Sequence, residues 1–408
     1  MPFDRQHTKS LSPLVMAGLI TACGSSAPAS PEPANPQTFD AAALDAELNR
    51  IADGALAQEG VPSFVLRVDA PCLGYTFETA RGFADGEAEE PMTPGHGFWT
   101  ASTTKTMTSV IVLQLVERGL LRLEDTLIDH LPADLVDRVH VLDGVSRGRE
   151  VRVDQLIGHT SGLWDHASAG TFFATLLDNP GKFWIPDELV EWATVNGEPV
   201  GLPGEQYHYS DFGYLLAGLI IESVTGEPIH EVYRRLIFEP LGMASTFQGG
   251  HEERANVPVA RPFFATLDIV DLGIDPSFDW AAGGVIATAA DLNRFYAGLF
   301  SGALLSEESV RMMLRGVAPD VPGRVPGREY GLGILKPLSD GEDWRGHSGF
   351  WGSWAGHSIA QNVTVAFSTS QSEASRSDIQ RAVFAAIPDF ECADGTRLST
   401  QGEAESSY

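Results

Sequence analysis

Strand-like segments lie near both ends of this chain, and a long helical stretch separates them. That order limits the fold more than any other feature. Residues 62–68 and 75–82 read as two strands around a turn at Pro71 to Gly74. Residues 330–335, 354–360 and 363–368 read as strands close to the other end. A sheet split in this way has to be completed by the late strands, which predicts an α/β sheet with a helical insertion. Helices are predicted at 40–57, where Leu44, Leu48 and Ile51 share a face that Asp40 can cap, and at 103–118, ended near Gly119. Residues 211–223 are apolar nearly all round and predict a buried helix. Further helices are expected at 289–300, 307–314 and 378–386, and no internal repeat has a solenoid period.

Composition excludes several classes of function. The 408 residues are 43% hydrophobic and 20% charged, enough for a large core and too apolar for disorder; length alone points to two or three domains. The net charge of −28 repels phosphate backbones, so no nucleic-acid partner is expected. No apolar run reaches the roughly 18 residues of a membrane span. Lysine occurs only at 9, 105, 182 and 336, a bias that fits both genome composition and salt adaptation.

The N-terminus reads as an address. Arg5 and Lys9 precede an apolar stretch at 11–22, and Ile20-Thr21-Ala22-Cys23 resembles a bacterial lipobox. The expectation is a signal peptide over 1–22, lipidation at Cys23 and a membrane-anchored periplasmic protein; an ordinary signal peptide with an incidental Cys is the alternative. Residues 23–39, rich in Ser, Ala and Pro, read as a tether. The folded body is placed at 40–392, with a loose polar tail over 393–408. Cys72 and Cys392 would then meet an oxidising compartment.

Gly144-Val145-Ser146-Arg147-Gly148 matches a nucleophile elbow, which needs a helix to follow it. The next residues, 149–153, alternate Val and charge and read as a strand, so the match is taken as a turn between strands. The 11 His form no zinc spacing, no phosphate loop is present, and no cofactor is expected. Ser102-Thr103-Thr104-Lys105 is different. It opens the 103–118 helix, so Ser102 and Lys105 share one face, a turn apart. A neutral Lys amine there could take the serine proton. On this segment alone, Ser102 as a helix cap and Lys105 as a surface cation fit equally well. Tyr207-His208-Tyr209-Ser210-Asp211 opens the buried helix, and His347-Ser348-Gly349 lies among turn residues before a late strand. Such element boundaries let polar side chains converge in a cleft.

With these three segments, the chain resembles the serine β-lactamase and penicillin-binding family, in the branch of class C β-lactamases and D,D-carboxypeptidases (peptidase S12 type). S-x-x-K matches Ser102 to Lys105, Y-x-N matches Tyr209-Ser210-Asp211 imperfectly, and H-x-G matches His347-Ser348-Gly349. His159-Thr160-Ser161-Gly162-Leu163, Pro240 to Met243, Gly283-Gly284 and Asp291-Leu292 match as framework. The resemblance implies an antiparallel sheet flanked by helices, with a mostly helical insertion. It implies Ser102 as acylated nucleophile, Lys105 and Tyr209 as general base, and His347 as a cation beside Tyr209 when protonated. It also implies N–H groups of Ser102 and Phe350 as oxyanion hole, and Asp211, Ser348, Gly349 and Phe350 as substrate contacts. A Cys72–Cys392 disulfide follows from the two ends of that fold packing on one sheet.

Asp211 in place of Asn, Ser348 in place of Thr, and Phe350 in place of a hydroxyl residue depart from the pattern. His347 in place of Lys makes a dedicated class C β-lactamase less expected. Asp211 reads either as a charge that repels anionic ligands or as a helix cap. His159 reads as a structural turn residue, Arg345 as a carboxylate contact or a solvated cation, and Trp351 and Trp354 as cleft lining or packing. The expected function is an extracytoplasmic serine hydrolase of peptides, amides or esters, on small-molecule or peptide substrates such as peptidoglycan stems. A β-lactamase, or a silent lipoprotein that binds cell-wall peptides, is the alternative.

Overall fold

In the computed structural model, the residues described are 39–252, 256–315, 322–323, 329–336, 344–390 and 392. The expected signal peptide, the lipidation at Cys23, the tether and the tail from Ala393 lie outside them. From Ala41 onward they cluster as one unit, not the two or three that length alone suggests.

The main sheet has eight strands: β1 (Ser63–Ala70), β2 (Tyr75–Asp85), β3 (Glu90–Pro91), β4 (Glu329–Tyr330), β5 (Leu335–Lys336), β6 (Trp344–Ser348), β7 (Ser353–Ser358) and β8 (Val363–Ser368). Their order is β4-β5-β6-β7-β8-β1-β2-β3, antiparallel throughout. The first and last strands of the chain thus meet at the centre, with Val65 opposite Ser368. Both faces are covered. Helices α1 (Ala41–Leu56) and α6 (Arg376–Ala386) pack on each other beside β1 and β2, while α5 (Ala289–Phe300) packs on β1, β7 and β8. Strands β7 and β8 are accordingly buried at every position. The helical insertion contains α2 (Thr104–Glu117), α3 (Gly170–Leu177) and α4 (Asp211–Thr225). Cys72 and Cys392 are bonded, their Cα atoms 5.6 Å apart, and close a loop across 320 positions. In the chain-entropy account such a loop contributes about 6 kcal/mol.

Three expectations change. His347 and Ser348 are on β6, paired with Ala355 and Trp354, and the turn starts only at Gly349. The strand expected at 330–335 is two short strands, because Gly333 takes φ +78° and turns the chain against α2. The strand expected at 149–153 is a 3-10 turn, Gly148–Glu150, leading into the helix Val153–Ile157. There the Gln155 side chain accepts the Arg152 N–H at 2.9 Å, so local capping outweighs the alternating pattern. Ser146 is exposed on a two-residue hairpin strand turned by Asp143 and Gly144, both at positive φ.

His357 on β7 is 3% exposed, stacks on Phe300 at 5.0 Å and bonds Thr364 through Nδ1. Burial lowers its pKa to about 3. The folded value lies below the unfolded one, so this stability is present above about pH 6.5 and is lost as pH falls. Between pH 7 and 5 His357 should remove about 2 kcal/mol from the unfolding free energy. Urea unfolding at both pH values should show a shallower loss in His357→Gln than in the parent.

Candidate active site

A short sheet places the nucleophile candidate. Phe98–Trp99 pairs with Val285–Ala287, which pairs with Phe247–Gln248. Thr100 then donates to the Val285 carbonyl from both its N–H and its hydroxyl, and Thr104 Oγ1 accepts from the Val285 N–H. Between these anchors Ala101 takes φ +45°, a strained value for a residue with a Cβ. Ser102 stands in the 3-10 turn Ala101–Thr103, just ahead of α2, and its side chain caps nothing. Lys105 is fully buried, not a surface cation. Its Nζ donates to Ser102 Oγ at 3.0 Å and to the Ala282 carbonyl at 2.8 Å, and lies 2.5 Å from Asp211 Oδ1.

The N-terminus of α4 supplies Tyr209 and Asp211. Ser210, not Asp211, is the cap: its hydroxyl accepts the Gly213 N–H at 3.3 Å. Asp211 is thereby freed to face Lys105, while its own N–H donates to Asp165 Oδ1 at 3.0 Å. Burial raises the Asp211 carboxyl, the Lys105 charge opposes that, and Asp165 adds to it. Tyr209 hydrogen-bonds Ser102, and its phenol is pushed well up, first by burial and then by the Asp211 charge. It is therefore a protonated donor at neutral pH. Behind it lies His159, buried at φ +59°, with its ring 4.1 Å from that of Tyr209. His159 Nδ1 accepts the Ser210 N–H at 3.1 Å, and burial, followed by the nearby Lys105 charge, holds the ring well below its ordinary pKa.

His347 sits near the end of β6. Nδ1 lies 2.8 Å from the Ser348 carbonyl and Nε2 lies 3.0 Å from Tyr330 Oη. A carbonyl can only accept, so Nδ1 donates to it, while the Tyr330 hydroxyl can either donate to Nε2 or accept from it. His347 links β6 to Tyr330, its ring 6.4 Å from that of Tyr209, and Lys105 Nζ lies 5.1 Å from the centre of the Tyr209 ring. Gly349 has a packing role: a Cβ there would meet the Thr100 carbonyl at 2.1 Å, so glycine lets the end of β6 close on the Ser102 turn. Ser348, Gly349 and Arg345 do not line the cavity described next, whereas Phe350 and Trp351 do. Trp354 packs in the core against Trp344 and Phe384.

The cavity measures about 560 Å³ and opens beside Ser102, Tyr209 and Asp211. Phe172, Phe173, Phe264, Phe278, Phe350 and Trp351 form much of its apolar wall. Asp165 and Asp279 also line it. Sequence reasoning passed over both, although Asp165 follows the His159 to Leu163 framework segment closely and Asp279 precedes Gly283-Gly284. Neither Ser102 nor Phe350 gives its N–H to a backbone carbonyl among the described residues, which leaves both available to an oxyanion. No group of three or more metal-ligating side chains occurs among the described residues.

The beta-lactamase family profile matches residues 49–387. The chain belongs to the beta-lactamase family. It is similar to the esterase EstB of Burkholderia gladioli, 28% identical over 357 residues, which are 79% of this chain and 88% of that protein. It is 26% identical to the putative penicillin-binding protein PbpX of Bacillus subtilis over 62% of this chain and 57% of that one. Among solved structures, a D-stereospecific amidohydrolase from Streptomyces sp. superposes with TM-score 0.72 at 26% identity, covering 84% of this chain and 99% of its own. The D-amino acid amidase of Ochrobactrum anthropi superposes with TM-score 0.70 at 25% identity, covering 84% and 98%. This beta-lactamase-family chain is a serine hydrolase with the family's α/β fold.

In this family member the Lys105–Asp211 pair should behave as one unit. Lys105→Met leaves the Asp211 carboxylate buried without its cation, at a cost of about 3–5 kcal/mol. Adding Asp211→Asn should recover most of that stability in a thermal melt. Turnover should stay about 10²–10⁴-fold down in both variants, because the amine is gone in each.

Proposed function

We propose that the protein is an esterase or amidase that works through an acyl-enzyme on Ser102. The observation that carries this reading is the buried Lys105 amine 3.0 Å from Ser102 Oγ. An ammonium held by three acceptors has no lone pair, so Lys105 must first pass a proton to Asp211. Burial raises the Asp211 carboxyl and brings that neutral pair within reach. Ser102 Oγ then attacks the substrate carbonyl, and its proton goes to the Lys105 amine. The protonated Tyr209 phenol gives its proton to the leaving group as the C–O or C–N bond breaks, and Lys105 returns one to Tyr209. Water attacks the acyl-enzyme by the same route in reverse and releases the acid. EstB, an esterase, and the D-amino acid amidase support the choice of ester and amide bonds. The departures at Asp211 and Phe350 favour substrates without a carboxylate over β-lactams. The Cys72–Cys392 disulfide supports work outside the cytoplasm, as the leader-like N-terminus does.

A fluorophosphonate probe should label the parent protein and leave Ser102→Ala unlabelled at unchanged thermal stability; labelling of Ser102→Ala at another residue would overturn the assignment. A second measurement compares a chromogenic cephalosporin with a short neutral ester. Asp211→Asn should raise the cephalosporin-to-ester ratio of kcat/KM by about tenfold, the size of a screened carboxylate repulsion of about 1.4 kcal/mol. An equal change on both substrates would remove Asp211 from substrate selection.

A further inference from the structure

The Phe350 N–H belongs to the same peptide unit as the Gly349 carbonyl. In a planar trans peptide the two groups point in opposite directions. Whatever holds the Gly349 carbonyl therefore aims the Phe350 N–H. The Phe350 side chain gives little help, since the residue is 50% exposed.

The hold comes from α6. Arg376, its first residue, donates from Nη1 to the Gly349 carbonyl and to the Phe350 carbonyl, the second at 2.9 Å. The Gly349 carbonyl also accepts the Gly352 N–H at 3.3 Å, and the Gly349 N–H donates to the Ser353 carbonyl at 2.8 Å. With the groups before, within and after it engaged, the unit joining Gly349 to Phe350 has little freedom to rotate.

This turn is tied in its own right to the turn that carries Ser102. Ser353 Oγ donates to the Thr100 carbonyl at 2.8 Å, and Thr103 Oγ1 donates to the His347 carbonyl at 3.3 Å. Ser353 and Thr103 are both buried. The N–H groups of Ser102 and Phe350 thus stand on two segments that are bonded to each other on either side of the nucleophile.

Helix stability does not account for an arginine at position 376. A cation in the first turn of a helix opposes the helix dipole. Its gain lies in the carbonyls it reaches. A charged donor binds a carbonyl more strongly than a neutral one does, and a peptide whose carbonyl is so bonded becomes a better donor at its own N–H. The guanidinium therefore orients the Phe350 N–H and also polarises it.

We propose that Arg376 is a positioning residue for the oxyanion hole: by clamping the Gly349 and Phe350 carbonyls it aims the Phe350 N–H at the oxygen of the tetrahedral intermediate. This rests on the acyl-enzyme reading at Ser102 and deepens it. Arg376 does not line the cavity, so it acts through the peptide and not on the substrate. Its effect grows as charge develops on that oxygen, which places it in kcat and not in KM.

The parent, Arg376→Gln and Arg376→Lys are to be compared on p-nitrophenyl acetate, with phenylboronic acid as a second probe. The boronic acid adduct of a serine is tetrahedral and puts an oxygen where the oxyanion forms. Arg376 is only partly buried, so both variants should fold, which a thermal melt checks. In Arg376→Gln, kcat should fall at least tenfold, a part of the roughly 10²–10³-fold that loss of a whole donor costs. KM should stay within about threefold of the parent, and phenylboronic acid should bind more weakly by a factor similar to the loss in kcat. Arg376→Lys keeps a charged donor and should recover most of both losses. An unchanged kcat in folded Arg376→Gln overturns the proposal. So does a rise in KM at constant kcat, or a fall in kcat with phenylboronic acid affinity unchanged. Fluorophosphonate labelling of Ser102 in the parent separates the two levels: with labelling intact those results leave the serine-hydrolase reading in place, and its absence overturns both.

Discussion

An ammonium buried beyond the reach of water organises this structure. Removing Lys105 from solvent costs several kcal/mol unless each of its three N–H bonds finds an acceptor. Those acceptors come from three places: the Ser102 turn, the start of α4, and the carbonyl of Ala282. One side chain thus ties α2 to α4 and to the segment 280–283. The packing around it is correspondingly close. Gly218 on α4 leaves no room for a Cβ against Trp280 and Ala281, which lets the helix and that segment approach. The same contact that stabilises the charge puts Ser102 within reach of the amine.

Around this charged centre the remaining polar rings pack on one another. His159 stacks near Tyr209, Tyr214 and Tyr330 and fixes the Ser210 N–H, so that the entry to α4 and the Tyr209 ring have little freedom. His347 and Tyr330 satisfy one another. Such a network fixes the place of the Tyr209 phenol, at the cost of a buried His159 Nε2 with no hydrogen-bond partner among the described residues.

Much of this was legible before any coordinates. The split sheet followed from the order of strand-like segments, because apolar strands at both chain ends have only each other to pair with. Ser102 and Lys105 followed from helical spacing. Legibility failed where tertiary contacts override local pattern. The glycines at 331 and 333 divide one expected strand into two. His347 and Ser348 look like turn residues because glycines flank them, yet ladder bonds to β7 carry them into the sheet. Asp211 had two readings, a charge in the cleft or a helix cap, and the choice between them lay in the neighbouring Ser210 hydroxyl, which takes the cap and leaves Asp211 to Lys105. Asp165 and Asp279 gave no periodic signal at all: their importance comes from sharing a cavity, a property of the folded chain.

The charge of that cavity bears on the base as well as on the substrate. On the proposed route Lys105 accepts the serine proton in its neutral form, which it reaches by exchange with Asp211. Any charge brought to the wall shifts this exchange. Asp211 lines the cavity and Lys105 lies behind it, so a cation at the wall favours the Asp211 carboxylate and keeps the proton on Lys105, whereas a carboxylate there favours the exchange. On that route substrate charge and base activation are linked through one short network of Lys105, Asp211 and Asp165. An Asn at 211 would break that link, since a neutral amide cannot take the lysine proton. The Asp thus changes more than a hydrogen-bond donor: it makes the readiness of the nucleophile depend on the charge of what enters the cavity.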